Sequence, residues 1–477
     1  MKREINHGHA TRSTCTCERV SHFMIHLLTR GCNTAIRKRH RPGGYGMISL
    51  VRASPEFNQS RYALSMATDL RSKLKKLGVQ QGARHIAAPP RLRRRTGLEG
   101  LIDGEIIETD FGHTFVHTER YAPDYVHGGH ALAEALGQSG AVAARLAEAD
   151  GELDLTRAVF IDTETTGLAG GTGTYAFVIG LGAFEADRTF RVRQYFLRTP
   201  DEEAAMLNHL AETLDGYDAL VSFNGRGFDL PLLTTRFTLA RLFPRILTAP
   251  HLDLLLPARR LWRGRLASCS LSSLEDHILG VRRDQADIDG ALIPQLYIDY
   301  VRTGDASEMP RVLYHNAVDI LSMVTLAAHL IRLFDRAAEA DRAPGDLLAL
   351  GRWHAARDQI EQAEAYFRQA IDLADDAETH HAAALQLATL YKQLQRRAEA
   401  VPLWQAVADA PEISAIDACV ELAKYFEWHG RDLPHALHWT EHALTLAGQL
   451  PPGFERDEMQ AALEHRRQRL IRKSAIE

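Results

Sequence analysis

The most informative stretch of the sequence is Phe160-Ile161-Asp162-Thr163-Glu164-Thr165-Thr166-Gly167-Leu168. The apolar run at 158–161 predicts a buried strand that ends in two acids. Side chains alternate between the faces of a strand, so Asp162 and Glu164 share a face. Burying two like charges together is costly unless a cation neutralises them, and carboxylate oxygens suit Mg²⁺ or Mn²⁺. The stretch therefore predicts a divalent-metal site. A solvated strand end, the alternative, leaves the apolar run and the Thr-Thr-Gly exit unexplained.

Residues 157–335 alternate between strand-like and helix-like segments. Further strands are predicted at 175–185 and 190–197, with turns between them. Pro200, which follows a Thr cap and precedes three acids, marks the start of a helix. Another strand at 219–223 precedes mostly helical sequence. This order predicts an α/β domain with a mixed sheet and flanking helices.

Two further acids qualify as metal ligands, and a pair of ions needs more than two carboxylates. Asp229 follows the strand at 219–223, near the start of the next helix. Asp319 lies on a late helix, in the sequence Tyr314-His315-Asn316-Ala317-Val318-Asp319. Another acid, Asp253, follows an apolar segment and is predicted to support the site rather than to bind metal.

These motifs resemble a known family. Asp-x-Glu-Thr-Thr-Gly at 162–167, Asn-x-x-x-Phe-Asp at 224–229 and an Asp preceded by Tyr and His resemble the three motifs of the DEDD-type 3′–5′ exonucleases, in the ribonuclease H-like superfamily. The wider context from 253 to 319 is similar to the YprB-like branch. The resemblance covers 157–335. It implies a ribonuclease H-like fold, hydrolysis of RNA or DNA, and two divalent cations, Mg²⁺ or Mn²⁺, held by Asp162, Glu164, Asp229 and Asp319.

The third motif departs from both subclasses of that superfamily, which have Tyr-x-x-x-Asp or His-x-x-x-x-Asp. Here the two residues are exchanged: His315 has the Tyr spacing and Tyr314 the His spacing. On a helix, His315 and Asp319 are separated by four residues and share a face. We therefore predict His315 as the catalytic base, since imidazole titrates near neutral pH. The alternative is that His315 is structural and the metals alone activate water.

An arginine-rich segment is the predicted contact for nucleic acid. Residues 226–283 contain ten arginines, no lysine and four acids, in a chain of net charge −5. Arginine grips phosphate and an interleaved aromatic can stack a base, although a solvated helix face gives the same count. The predicted contacts are Thr165, Asn224, Arg226, Arg259, Arg260, Trp262 and Arg263. The nucleic acid is expected to be single-stranded RNA or DNA.

The chain after Pro344 is predicted to be helical, with a repeat of about 36 residues. Leu350-Gly351 precedes Phe367 as Leu387-Ala388 precedes Trp404. Small residues at fixed places let paired helices approach closely, and the aromatic fills the space between them. The pattern at 345–477 resembles the tetratricopeptide repeat, whose period is near 34, and implies a protein partner. A generic helical bundle is the alternative.

Composition bounds the remaining choices. The chain has 477 residues, 45% of them hydrophobic and five of them cysteine, which favours a multidomain globular protein in a reducing, cytoplasmic compartment without a disulfide scaffold or a membrane span. Residues 1–65 are basic and poorly periodic. They are predicted to be an unstructured leader, or to lie before the true start codon. Residues 66–156 are predicted to be an accessory region, with a short helix at 66–77 and a basic run at 91–95.

The sequence thus predicts a metal-dependent nuclease, with a ribonuclease H-like mixed sheet followed by an all-α, tetratricopeptide-like helical repeat. Two other functions stay open: a nucleic-acid-binding module without turnover, and an adaptor acting through its repeats.

Overall fold

The computed structural model describes residues 97–167, 173–284, 287–335, 342–408, 410 and 413–475. The predicted leader at 1–65, the predicted helix at 66–77 and the basic run at 91–95 lie outside these ranges. The strands are β1 (Glu105–Thr109), β2 (Gly112–Tyr121), β3 (Val126–His127), β4 (His130–Ala131), β5 (Ala158–Thr165), β6 (Ala176–Phe184), β7 (Phe190–Phe196), β8 (Ala219–Ser222) and β9 (His251–Asp253).

The helices flank the sheet and then form the carboxyl-terminal region. They are α1 (Gly140–Ala147), α2 (Glu203–Leu214), α3 (Asp229–Leu239), α4 (Leu255–Trp262), α5 (Leu271–Leu274), α6 (Ile293–Thr303), α7 (Met309–Asp335), α8 (Pro344–Ala355), α9 (Ile360–Leu373), α10 (Ala377–Gln393), α11 (Arg397–Ala408), α12 (Ile413–Tyr425), α13 (Leu433–Gln449) and α14 (Phe454–Ser474). A π-helical turn, Glu275–Leu279, extends α5.

Seven strands form one mixed sheet in the order β1-β2-β7-β6-β5-β8-β9. β5, β6 and β7 make an antiparallel meander, whereas β8 runs parallel to β5 and β9 parallel to β8. The predicted α/β class with a mixed sheet is confirmed. Because β5, β8 and β9 are parallel, their carboxyl ends meet at one edge of the sheet, where ligands commonly bind in α/β folds.

We predicted that the domain starts at residue 157, but the first strands of the sheet precede that residue. β2 pairs with β7 from Phe115 opposite Phe196 to Tyr121 opposite Phe190, and β1 continues the sheet outward. Unpaired strand edges bind other strands readily, and β2 covers the edge that the meander would otherwise expose. Strands β1 and β2 are therefore part of the sheet that carries the acids, whereas β3 and β4 pair with each other in a separate two-stranded sheet.

Helix α7 lies against the sheet unusually closely because two residues of β6 have no side chain. A Cβ atom on Gly180 would clash with Oδ1 of Asn316, and one on Gly182 would clash with the side chain of Ile320. The helix is long and apolar enough to span a membrane, with a mean hydropathy of 1.7, but 78% of the window concerned is buried inside the protein. It therefore serves here as a core helix.

The carboxyl-terminal helices α8 to α14 pack each against the next. Gly351 of α8 meets α9 so closely that a Cβ there would lie 2.5 Å from the ring of Phe367. Ala388 and Trp404, which hold the same places one repeat later, are also buried. The sheet domain is thus followed by a helical region, in which the small residue and the aromatic of the first predicted repeat are in direct contact.

Candidate active site

Asp162 and Glu164 lie at the carboxyl end of β5, on the strand face that also carries Phe160. Nδ2 of Asn316 donates to Oδ2 of Asp162 over 2.7 Å. This bond is possible because Gly180 admits α7 to the sheet. The two predicted acids therefore share a face, and a neutral amide from α7 fixes one of them.

Asp229 opens α3 and is buried, with 5% of its surface exposed. The hydroxyl of Thr163 donates to its Oδ1. The loop before it is held by Asp253, whose carboxylate accepts from the backbone N–H groups of Asn224 (2.8 Å), Arg226 (3.1 Å) and Leu255 (3.1 Å). Asp253 thus positions the loop that delivers Asp229, in keeping with its predicted supporting role.

Asp319 of α7 is paired with Arg283, a contact that the sequence did not predict. Arg283 also forms two bonds of 2.7 Å to Glu275, which is 2% exposed. The hydroxyl of Ser322 donates to Glu275 over 2.6 Å, which leaves its oxygen to accept from Nε2 of His127 at 2.8 Å. A buried polar chain therefore links β3 to Asp319, and no local sequence pattern could have revealed it.

His315 faces Asp319 as the helical spacing predicts, with 3.8 Å between Nε2 and Oδ2. Its Nδ1 lies 2.7 Å from Oδ1 of Asp287 and 3.1 Å from Nη1 of Arg283. The shorter bond favours a proton on Nδ1, donated to Asp287, so that Nε2 carries a free lone pair on the side of the acids. Tyr314 instead interacts with Asp284. The geometry therefore favours His315 over Tyr314 as the base.

The electrostatics of these carboxyls show that they act on one another. Burial, followed by the charges of Asp319 and Asp229, raises the pKa of Asp162 well above its ordinary range. Burial also raises the pKa of Glu164 well above its ordinary range, followed by the charges of Asp162, Asp319 and Asp229. Burial raises the pKa of Asp229 to about 6 and also raises the pKa of Asp319, against the opposing effect of Arg283. The structure thus gathers all four predicted acids into one set, which we call the acid site.

The donor chemistry of the acid site fits a divalent cation. Asp162 and Asp229 accept from the neutral partners Asn316 and Thr163, and Glu164 forms no ion pair with any residue that the structure describes. Such uncompensated buried charge is the condition that a metal relieves. Within the described ranges, however, no three His, Cys, Asp or Glu side chains converge closely enough to hold an ion.

The predicted nucleic-acid contacts divide into accessible and inaccessible residues. Trp262 is completely buried, with its ring 6.1 Å from that of His329, which corrects the prediction that it stacks a base. Thr165 is 5% exposed and donates to the carbonyl of Gly167, so it serves the backbone. The remaining predicted contacts lie at or near the surface: Asn224, Arg226, Arg259, Arg260 and Arg263.

An aromatic pair lies near Tyr314, and no pattern in the sequence indicated it. The rings of Tyr121 and Tyr125 lie 4.9 Å apart edge to face, close enough to Tyr314 to interact electrostatically. Tyr125 is 41% exposed. Tyr121 ends β2 and Tyr125 follows it, in the part of the chain that we predicted to be an accessory region.

Comparison with known proteins agrees with this description. A family model for the RNase_H superfamily matches residues 159–331. The uncharacterized protein YprB of Bacillus subtilis (strain 168) is 34% identical over 293 residues, which are 61% of this chain and 70% of that protein. Among solved structures, the family B DNA polymerase from the hyperthermophilic archaeon Pyrobaculum calidifontis matches with a TM-score of 0.32 and 15% identity, over 46% of this chain and 30% of the polymerase. That last likeness is too distant to bear on function. The chain belongs to the YprB family, and its mixed sheet is a domain of the ribonuclease H superfamily.

Proposed function

We propose that the chain is a divalent-metal-dependent nuclease that removes nucleotides from the 3′ end of single-stranded RNA or DNA. The observation that carries the proposal is the acid site: Asp162, Glu164, Asp229 and Asp319 come from three separate segments, and burial and the charges of the neighbouring acids raise the pKa of Asp162 and of Glu164. A fold gains no stability from gathering such groups, because each buried charge disfavours the others. A ribonuclease H superfamily domain indicates a nuclease-type activity, and the exonuclease class follows from the motif resemblance.

The acid site would hold two Mg²⁺ or Mn²⁺ ions, which when bound activate water and stabilise the leaving oxygen. The protein's own groups have distinct tasks. His315 takes the proton of the attacking water at Nε2, and Asp287 holds the imidazole in the tautomer that leaves Nε2 free. Asn316 fixes the carboxylate of Asp162. Asp253 holds the loop that places Asp229.

A second candidate function is binding of nucleic acid without turnover. The contact between Arg283 and Asp319 favours it, because a guanidinium already neutralises one of the four carboxylates. In this case Arg283 would stand where a cation is needed, and the acid site would keep its fold without activity.

For residues 345–477 we propose a tetratricopeptide-like helical repeat that binds a protein partner. We also propose that the protein is cytoplasmic.

The test is cleavage of end-labelled single-stranded RNA and DNA in Mn²⁺, Mg²⁺ or EDTA. Asp162→Asn should abolish cleavage, because the amide keeps the shape of the side chain but removes a ligand charge. The matched control is Asp299→Asn, which makes the same change at an exposed helix position whose described partners belong to its own helix. Stepwise shortening from the 3′ end that needs metal and Asp162 supports the exonuclease. Salt-sensitive binding without cleavage, in every metal, supports the second candidate.

A further inference from the structure

Four arginine side chains from separate segments gather beside the carboxyl end of α1. Arg145 belongs to α1, Arg226 to the loop after β8, Arg260 to α4, and Arg357 follows α8. Nη2 of Arg226 donates to the carbonyls of Ala147 and His251, each over 2.7 Å. We call Arg145, Arg226, Arg260 and Arg357 the guanidinium cluster.

The charge of the guanidinium cluster is poorly balanced. Glu148 pairs with Arg260 over 2.5 Å and also interacts with Arg226 and Arg357, so that one carboxylate faces several guanidinium groups. Arg145 forms no ion pair with any residue that the structure describes. Among the described residues, Arg357 donates to the carbonyl of Trp353, over 3.3 Å, and to no carboxylate. An unbalanced group of like charges is the arrangement that an anion stabilises.

Two further observations indicate a place for an anion. Nη1 of Arg260 is buried and has no hydrogen-bond partner among the described residues. Such buried donors normally find a partner, and leaving one unpaired is costly. In addition, burial and the neighbouring Arg260 and Arg145 lower the pKa of Arg357, against the opposing effect of Glu148. The protein therefore maintains mutual repulsion here that a bound anion would remove.

The position of the guanidinium cluster identifies the anion. Arg226 lies in the loop after β8, three residues before Asp229, the first residue of α3, so their Cα atoms are separated by at most about 11 Å. A strand of several nucleotides whose end lies in the acid site can therefore extend past Arg226 to the other members of the guanidinium cluster. The ring of Trp353 is covered by Arg357, at 4.2 Å from its centroid, and is 4% exposed. Contacts here would thus be made to phosphates and not by stacking on bases.

We propose that the guanidinium cluster binds the phosphate backbone of a single strand whose end lies in the acid site. The inference deepens the proposed function and rests on it for the identity of the strand. It adds Arg145 of α1 and Arg357 of the helical repeat to the nucleic-acid surface. The repeat then takes part directly in holding the strand, and binding at this surface is independent of base sequence.

The test measures binding separately from cleavage. Fluorescence anisotropy in EDTA gives the affinity for single-stranded oligonucleotides of about 20 nucleotides. The variant Arg145→Gln/Arg357→Gln removes two charges that form no ion pair with a described residue. The control Arg302→Gln/Arg472→Gln removes two exposed charges outside the guanidinium cluster. Turnover of a dinucleotide, too short to reach from the acid site across the guanidinium cluster, is measured with metal present.

The first variant should weaken binding at least tenfold, and the control less than twofold. Between about 50 and about 200 mM KCl, the logarithm of the binding constant decreases linearly with the logarithm of the salt concentration. The steepness of this line should decrease by about 0.7 for each lost phosphate contact, hence by about 1.4 for the variant. Dinucleotide turnover should not change. Wild-type affinity and slope in the variant would overturn the inference. If Arg357→Gln prevents folding, Arg145→Gln alone should give half the loss of slope. A chain that cleaves nothing but shows these binding losses would refute the proposed function and support the guanidinium cluster.

Discussion

Asp229→Asn should stabilise the metal-free protein, by an amount that grows with pH. Burial raises the pKa of Asp229 from 3.8 to about 6. In this pH range the folded state holds a proton that the unfolded state has lost, so the stability of the wild type falls as pH rises from about 4 to about 6. At about 1.4 kcal/mol per pKa unit, keeping Asp229 ionised at pH 8 costs roughly 3 kcal/mol.

The amide that replaces the Asp229 carboxylate carries no charge, and its oxygen still accepts from the hydroxyl of Thr163. The variant should therefore gain about 3 kcal/mol over the wild type at pH 8, but only about 1 kcal/mol at pH 4.5, where the wild-type side chain is protonated in the folded state. Urea unfolding in EDTA across this pH range measures the difference. With divalent metal added, the wild type should regain stability by mass action and the variant should regain less.

Asp253→Asn is the matched control, because the same chemical change should have the opposite sign. Asp253 accepts three backbone N–H bonds, and an amide nitrogen in place of one oxygen turns an acceptor toward a donor. We expect a loss of about 1.5–3 kcal/mol. If Asp229→Asn is no more stable than the wild type at pH 8, or if its gain does not depend on pH, burial does not disfavour the charge of Asp229, and this part of the argument for a metal site fails.

Three further changes probe other parts of the structure. Asp287→Asn should lower kcat about 100-fold by releasing His315 from its tautomer, and should add little to a His315→Gln variant, as a double-mutant cycle of kcat would show. Glu427→Gln should lower the free energy of unfolding by about 3–5 kcal/mol, because the fully buried carboxylate of Glu427 pairs with three cations of α14. Urea unfolding measures this loss, and a loss below about 1 kcal/mol would contradict the pairing. Gly180→Ala should lower both Tm and kcat, since its Cβ would displace Asn316; an unchanged crystal position of α7 would refute this reason.

Local patterns in the sequence were enough to predict Asp162 and Glu164 as a pair and to single out Asp229 and Asp319 as candidates, and the motif resemblance assigned all four to one site. Asp162 and Glu164 end an apolar strand, and side chains alternate between the two faces of a strand. The two carboxylates must therefore lie on the same face. The separation of four residues between His315 and Asp319 fixes their common face on a helix in the same way. Asp229 follows a parallel strand, whose carboxyl end lies beside that of β5.

The partners of these acids could not be predicted, because they come from distant segments. Arg283 belongs by composition to a basic region, and only the fold turns it toward Asp319. The error over Trp262 has a related cause. Arg259 and Arg263 are exposed, but the helix turns by about 100° per residue, so Trp262 faces the core. An interleaved aromatic is therefore no sign of stacking until the buried face of the helix is known.

Helix α7 explains how one element serves both the core and the chemistry. Its polar residues Asn316, Asp319 and Ser322 recur every three residues and contact Asp162, Arg283 and Glu275 in turn, while the rest of the helix is mostly apolar and buried. The stripe is polar because it faces the acid site, and the helix cannot move away from the sheet without exposing its apolar sides. Hydrophobic packing therefore holds Asp319 in place. Because this packing is distributed over the whole helix, it outweighs the unfavourable burial of charge at the acid site.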